Sequence, residues 1–195
     1  MKGVIMPRVV SAGVTAVLVT IVMVSLAFAQ EPNPPHEYVG AKTCMPCHMS
    51  PAKGAQYKQW MDTNHANAYK TLGTEQSKKV AKEAGVEGNP QEASECLTCH
   101  VTGYEAADSL KVRKYDMTEG VGCESCHGPG GDYWTMTVMK KIDAGELEPE
   151  PYGLVTPDKE TCVECHNEES PTYTGFNYEE AYPQISHPNP QKEKE

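Results

Sequence analysis

The residues with the clearest chemistry in this 195-residue chain are its eight cysteines, and all of them fall into copies of one five-residue pattern. The copies are Cys44-Met45-Pro46-Cys47-His48, Cys96-Leu97-Thr98-Cys99-His100, Cys123-Glu124-Ser125-Cys126-His127 and Cys162-Val163-Glu164-Cys165-His166. Two thiols three residues apart can form thioethers with the two vinyl groups on one side of a porphyrin. A histidine directly after the second thiol then lies under the iron and supplies its proximal nitrogen. Paired disulfides and zinc knuckles are the alternatives. Neither needs a histidine after every second cysteine, and zinc would gather Cys-x-x-Cys pairs into tetrahedral sets. The pattern predicts four covalently bound haem c groups, with iron held by His48, His100, His127 and His166.

Only His36, His65 and His187 remain as sixth ligands, one fewer than four bis-histidine irons need. His65 sits in the strongest helix candidate, residues 55–72, where Tyr57, Met61, His65, Ala68 and Leu72 recur at intervals of three and four and share a face. His36 lies in an extended stretch running into the first motif, and His187 precedes Pro188 near the C-terminus. The iron without a histidine has three alternatives. It stays five-coordinate and open to small ligands, or it takes a sulfur from Met61, Met117, Met136 or Met139. The third is a histidine from another subunit, which moves the deficit without removing it.

Composition points the same way. After residue 29 the chain holds 5 Leu, 2 Ile, 9 Val and 1 Phe, about a tenth of its residues. A charged chain with under roughly 20% of these residues is expected to be disordered. Four large, mostly apolar porphyrins would supply the missing core, so the haem-free chain is expected to be unfolded. The excess of 27 Asp and Glu over 17 Lys and Arg argues against nucleic acid as a partner.

Residues 1–29 read as a secretory signal: Lys2 and Arg8, then an apolar run over 9–26, then Ala27-Phe28-Ala29 as a cleavage site. An uncleaved anchor is the rival reading. No second apolar run follows, so no membrane span is expected after signal removal, and the periplasm or the cell exterior is the expected location. Residues 30–187 are then a single haem-bearing domain and 188–195 a flexible tail. Other segments read as helices over 78–84 and 132–141, a surface loop over 144–159, and a glycine-rich stretch over 120–131 that lets backbone approach a porphyrin face. That stretch lacks the Lys-Ser/Thr of a phosphate loop. Alternating apolar residues are too few for a sheet of any size. The expected fold is mainly α with much irregular structure, a compact multihaem c-type cytochrome whose core is built around its haems.

The order of motifs resembles the tetrahaem cytochrome c-554 family. The likeness rests on Tyr38-Val39-Gly40 before the first motif and on Trp60-x4-His65-Ala66-x-Ala68. It continues in Val121-Gly122 leading into the third motif, Gly128-Pro129-Gly130 after it, Asn167-Glu168 after the fourth, and Ile185-Ser186-His187-Pro188. The resemblance implies a mainly helical protein that carries electrons in the periplasm or at the cell surface. It also implies pairing of His65 with His166 and of His187 with His127, and an open second iron at His100. The histidine that serves the family's first haem, downstream of the third motif, is replaced here by a region offering Tyr133, Met136 and Met139, which leaves His36 as the partner of His48.

One-electron transfer between redox protein partners is the function these readings imply, without catalysis, since no nucleophile–base pair or hydrolytic site is visible. Two other readings remain. Protomers could stack into an extracellular conducting filament, with His36 reaching a neighbour's haem. An open iron could instead reduce nitric oxide, nitrite or hydroxylamine.

Overall fold

A Cys-x-x-Cys-His segment places its three functional side chains together only if it is helical, because residues i, i+3 and i+4 share one face of a helix. The computed structural model, which describes residues 35–187, 189 and 190, has this arrangement. The first motif occupies the last turns of α1 (Ala41–His48), with Pro46 inside it. The helices α2 (Gln56–Met61), α3 (Ala68–Leu72) and α4 (Glu75–Glu83) follow. The second motif ends α5 (Ser94–His100) and the third is the whole of α6 (Cys123–His127). After α7 (Met136–Asp143), the fourth motif begins in α8 (Lys159–Val163). His166 N–H still bonds to Cys162 O at 3.0 Å there, so the helical turn is carried through to the histidine. The chain closes with α9 (Tyr178–Ile185).

Among the described residues there are no strands, only one parallel bridge between Tyr38 and Lys111. The fold is mainly α, and its helices are short, five to nine residues each. Also among the described residues, no helix is long and apolar enough to cross a membrane. They belong to one compact unit, Asn33–Glu195. The signal expected over 1–29 lies outside the described residues, as does the expected tail apart from 189 and 190.

The single helix expected over 55–72 is broken. α2 stops at Met61, a 3₁₀ turn runs over His65–Asn67, and α3 restarts at Ala68. Thr63 Oγ1 donates to Trp60 O at 2.7 Å and Asn67 Nδ2 to Thr63 O at 3.1 Å, local bonds that compete with helix continuation. The carbonyl of His65 leaves the helix altogether and accepts from Val121 N–H at 3.0 Å. Trp60 Nε1 donates to Val121 O at 2.8 Å, so the backbone just before the third motif is pinned to the segment carrying His65.

Other boundaries moved for identifiable reasons. α4 begins at Glu75 because Thr74 caps it, accepting from Ser77 N–H. α7 begins at Met136, not 132, because Tyr133 and Trp134 N–H both turn back to Gly130 O and Thr135 is the cap. α9 was not anticipated; Asn177 caps it and Pro183 lies inside it. The loop expected over 144–159 holds one 3₁₀ turn, Glu150–Tyr152.

Side-chain packing is sparse. Leu72, Leu97 and Val101 form a small cluster that joins α3 to α5, with Tyr69, Cys96, Tyr104 and Met117 against it. Close backbone approaches substitute for apolar packing elsewhere. At Gly40, just before α1, φ is +81° and an added Cβ would lie 2.4 Å from Lys114 O. At Gly85, after α4, φ is +79° but the surrounding space is open. Gly85→Ala should therefore lose only the conformational cost, roughly 1–3 kcal/mol, and Gly40→Ala more than that. Denaturant unfolding of the two variants checks this, and equal losses would contradict it.

Candidate haem sites

The seven histidines separate into two facing pairs and three single rings. His65 and His166 have ring centroids 6.0 Å apart at an interplanar angle of 71°. His127 and His187 are also 6.0 Å apart, at 64°. Each pair joins the histidine of one attachment motif, the fourth or the third, to a histidine distant in sequence. Two imidazoles on opposite sides of one metal, each nitrogen about 2 Å from it, have centroids roughly 6 Å apart. Both gaps therefore have the dimension that a ligated iron requires.

Backbone carbonyls set the tautomer of several of these rings. His100 Nδ1 lies 2.9 Å from Ala68 O, His187 Nδ1 2.8 Å from Ile185 O, and His127 Nδ1 3.4 Å from Val155 O. A carbonyl only accepts, so the proton sits on Nδ1 in each case and the Nε2 lone pair is left for a metal. Gln56 lies beside His48 and acts to raise its pKa against the effect of burial. His166 instead stacks on Phe176, centroids 4.8 Å apart and 14° from parallel. Burial holds His48, His65 and His127 below the ordinary histidine pKa, which favours the neutral form that a ligand needs.

The cysteines report how the motifs adjoin. Cys44 lies in hydrogen-bonding contact with Cys123, which together with burial pushes its thiol up. Cys165 is pushed up to about 12 by burial and by neighbouring Cys99. Burial also raises Cys126, with Cys162 adding to it. The first motif is therefore in contact with the third and the fourth with the second, and the third lies near the fourth. No disulfide forms among the eight, and among the described residues no group of three or more His, Cys, Asp or Glu could hold a bare metal ion. An open cleft of about 750 Å³ beside Lys42, Lys111, Lys114 and Tyr115 includes none of these cysteines or histidines.

His36 Nδ1 donates to Asp132 Oδ2 at 2.5 Å and its ring packs against Gly153. No ring contact joins it to His48 among the described residues. Among the described residues, neither His48 nor His100 faces a second histidine ring. The candidate sulfurs are placed as follows. Met61 and Met136 are 42% and 58% exposed, Met117 packs on the Leu72 cluster, and Met139 lies in α7.

Residues 43–128, which hold the first three motifs, match the family model described as cytochrome c554 and c-prime. Over that stretch the chain is similar to the cytochrome c554 family. C-type cytochromes are a class in which haem is bound covalently through Cys-x-x-Cys-His. The chain is 33% identical over 99 residues to cytochrome c-554 of Nitrosomonas europaea, a match covering 49% of this chain and 40% of that protein. The chain thus spans less than half the length of that relative. No solved structure matches it.

Gln56, Phe176 and the carbonyls of Ala68 and Val155 were not anticipated as supports of the histidines. Phe176, the one phenylalanine after residue 29, was the detectable signal; a carbonyl has none. Tyr133, between the first and third motifs, is 8% exposed and donates to Gly128 O at 2.7 Å and His127 O at 3.2 Å. Tyr133→Phe should leave the Gly128 carbonyl unpaired and cost about 1–3 kcal/mol. The denaturant midpoint of the holoprotein measures this, and an unchanged midpoint would contradict it.

Proposed function

We propose that the chain is an exported tetrahaem electron carrier that passes single electrons between redox proteins in the periplasm or at the cell surface. In this reading residues 1–29 are removed on export, residues 30–187 form the haem domain and 188–195 a tail. Haem c is attached at Cys44 and Cys47, Cys96 and Cys99, Cys123 and Cys126, and Cys162 and Cys165. What carries the reading is the pair of 6.0 Å gaps, each between a motif histidine and a remote one. His166 and His65 hold the fourth iron, and His127 and His187 the third. His48 and His100 hold the first and second irons from one side.

Bound haem supplies a one-electron iron couple. The chain's part is to hold the macrocycles close together and to limit rearrangement when the iron charge changes. Backbone-anchored imidazoles do the second: a ring whose Nδ1–H is bonded to a carbonyl cannot turn away when its metal is reduced. The contacts between cysteines of different motifs do the first, and give the order first, third, fourth, second. The second iron, at one end of that order, is without a facing histidine, and so is the first at the other end. The lack of a facing histidine distinguishes these two from the paired irons in the middle.

His65→Ala and His187→Ala test the assignment. Low-temperature electron paramagnetic resonance of each oxidised variant should show one low-spin iron converted to high-spin, a different one in each. Spectra identical to the unaltered protein would overturn the pairing.

A further inference from the structure

Glu124 is a buried acid for which electron carriage as described has no use. It sits inside the third motif, between Cys123 and Ser125, and is 3% exposed. Its Oε1 accepts from Val39 N–H at 2.9 Å and Gly130 N–H at 2.7 Å, and its Oε2 from Gly40 N–H at 2.9 Å. Val39 and Gly40 lead directly into α1, the helix of the first motif, while Gly130 follows the third motif. One carboxylate therefore ties the entry to one attachment helix to the exit from another. The approach at Gly130 leaves no room for a side chain: a Cβ there would lie 3.0 Å from both Glu124 Oε1 and Val39 Cγ2.

Every partner of this carboxyl group is a donor. A proton on either oxygen would point at an N–H and find no acceptor, so the ionised form is the one that fits. Burial raises its pKa, with a smaller push from Glu119, and the three amides oppose that rise without cancelling it. Among the described residues no Lys, Arg or His forms an ion pair with it. The neighbouring acid differs in this respect. Glu119 Oε2 also caps α1, accepting from Ala41 N–H at 2.8 Å, but its Oε1 is 3.5 Å from Lys42 Nζ. Lys42 offsets the charge of Glu119; only amide dipoles offset that of Glu124. Both carboxylates contribute to raising the Cys44 thiol, Glu124 more than Glu119.

We propose that Glu124 is a fixed buried anion that positions the first and third attachment segments and holds the reduction potential of the haems bound there low. An uncompensated negative charge in a low-dielectric interior favours the more positive, oxidised iron. The inference rests on haem at those two motifs.

The test is a visible-absorbance redox titration of the holoprotein, unaltered, E124Q and E119Q, with haem content measured on the same preparations. E124Q should shift one or two of the four reduction equilibria at least tenfold toward the reduced form, about 59 mV for a one-electron couple. E119Q should shift none of them by more than threefold. The low-spin resonance of the His127–His187 iron should be unchanged in E124Q, which separates an effect of charge from distortion of the site. Four haems with unmoved equilibria in E124Q overturn this inference alone; fewer than four haems in the unaltered protein overturn the haem reading with it. Should E124Q fail to mature, amide hydrogen exchange of the unaltered protein at neutral pH still tests the tie. Protection at Val39, Gly40 and Gly130 supports it, and open-loop exchange at all three overturns it.

Discussion

Too few aliphatic side chains are available to hold this polypeptide together by packing alone, and the remaining features of the structure follow from that shortage. The one cluster that forms, around Leu72, Leu97 and Val101, joins two short helices and the second motif. The other three attachment helices have no comparable apolar support among the described residues. A helix of five to nine residues is marginal in isolation. In the proposed reading, haems bound at these helices would supply the hydrophobic area that side chains do not. Fold and cofactor would then form a single thermodynamic unit, as in other small domains whose binding free energy is their folding free energy.

Polar ties do the positioning that a larger core would otherwise do. Trp60 Nε1–H on Val121 O, Tyr115 O–H on Thr102 O and Tyr133 O–H on Gly128 O each fasten an attachment segment to a distant stretch of backbone. Such bonds are directional, whereas apolar contact is not, and macrocycles that exchange electrons need fixed separations. The same economy governs the axial histidines, whose orientation is set by carbonyls of the main chain. Residues without a functional label thereby decide which nitrogen meets the metal.

Much of the chemistry was legible in the sequence, because a covalent attachment site needs fixed residue types at fixed spacing. The four motifs, their helical character and the scarcity of sheet all follow from local pattern. Break points were less legible. The periodicity of residues 55–72 is a true helical signal that loses to Thr63 and Asn67, whose side chains bond nearby carbonyls, and to Val121, which draws the His65 carbonyl away. The pairing of His36 with His48 rests on resemblance and on a count of histidines, neither of which carries geometry; the bond of His36 to Asp132, nearly a hundred residues away, is invisible to both. Glu124 was hidden for a different reason. Inside an attachment motif it reads as a variable x position, and only the approach of Val39, Gly40 and Gly130 reveals its role.

The central claim is that thioether-bound haem at all four motifs is both the core of this protein and its electron path. The most direct measurement is the intact mass of the matured protein, with the pyridine haemochrome spectrum taken on the same sample. Four haem adducts per chain and no alkylatable thiol are the predicted result. A mass with three adducts or fewer, or with free cysteines at any one motif, would contradict it.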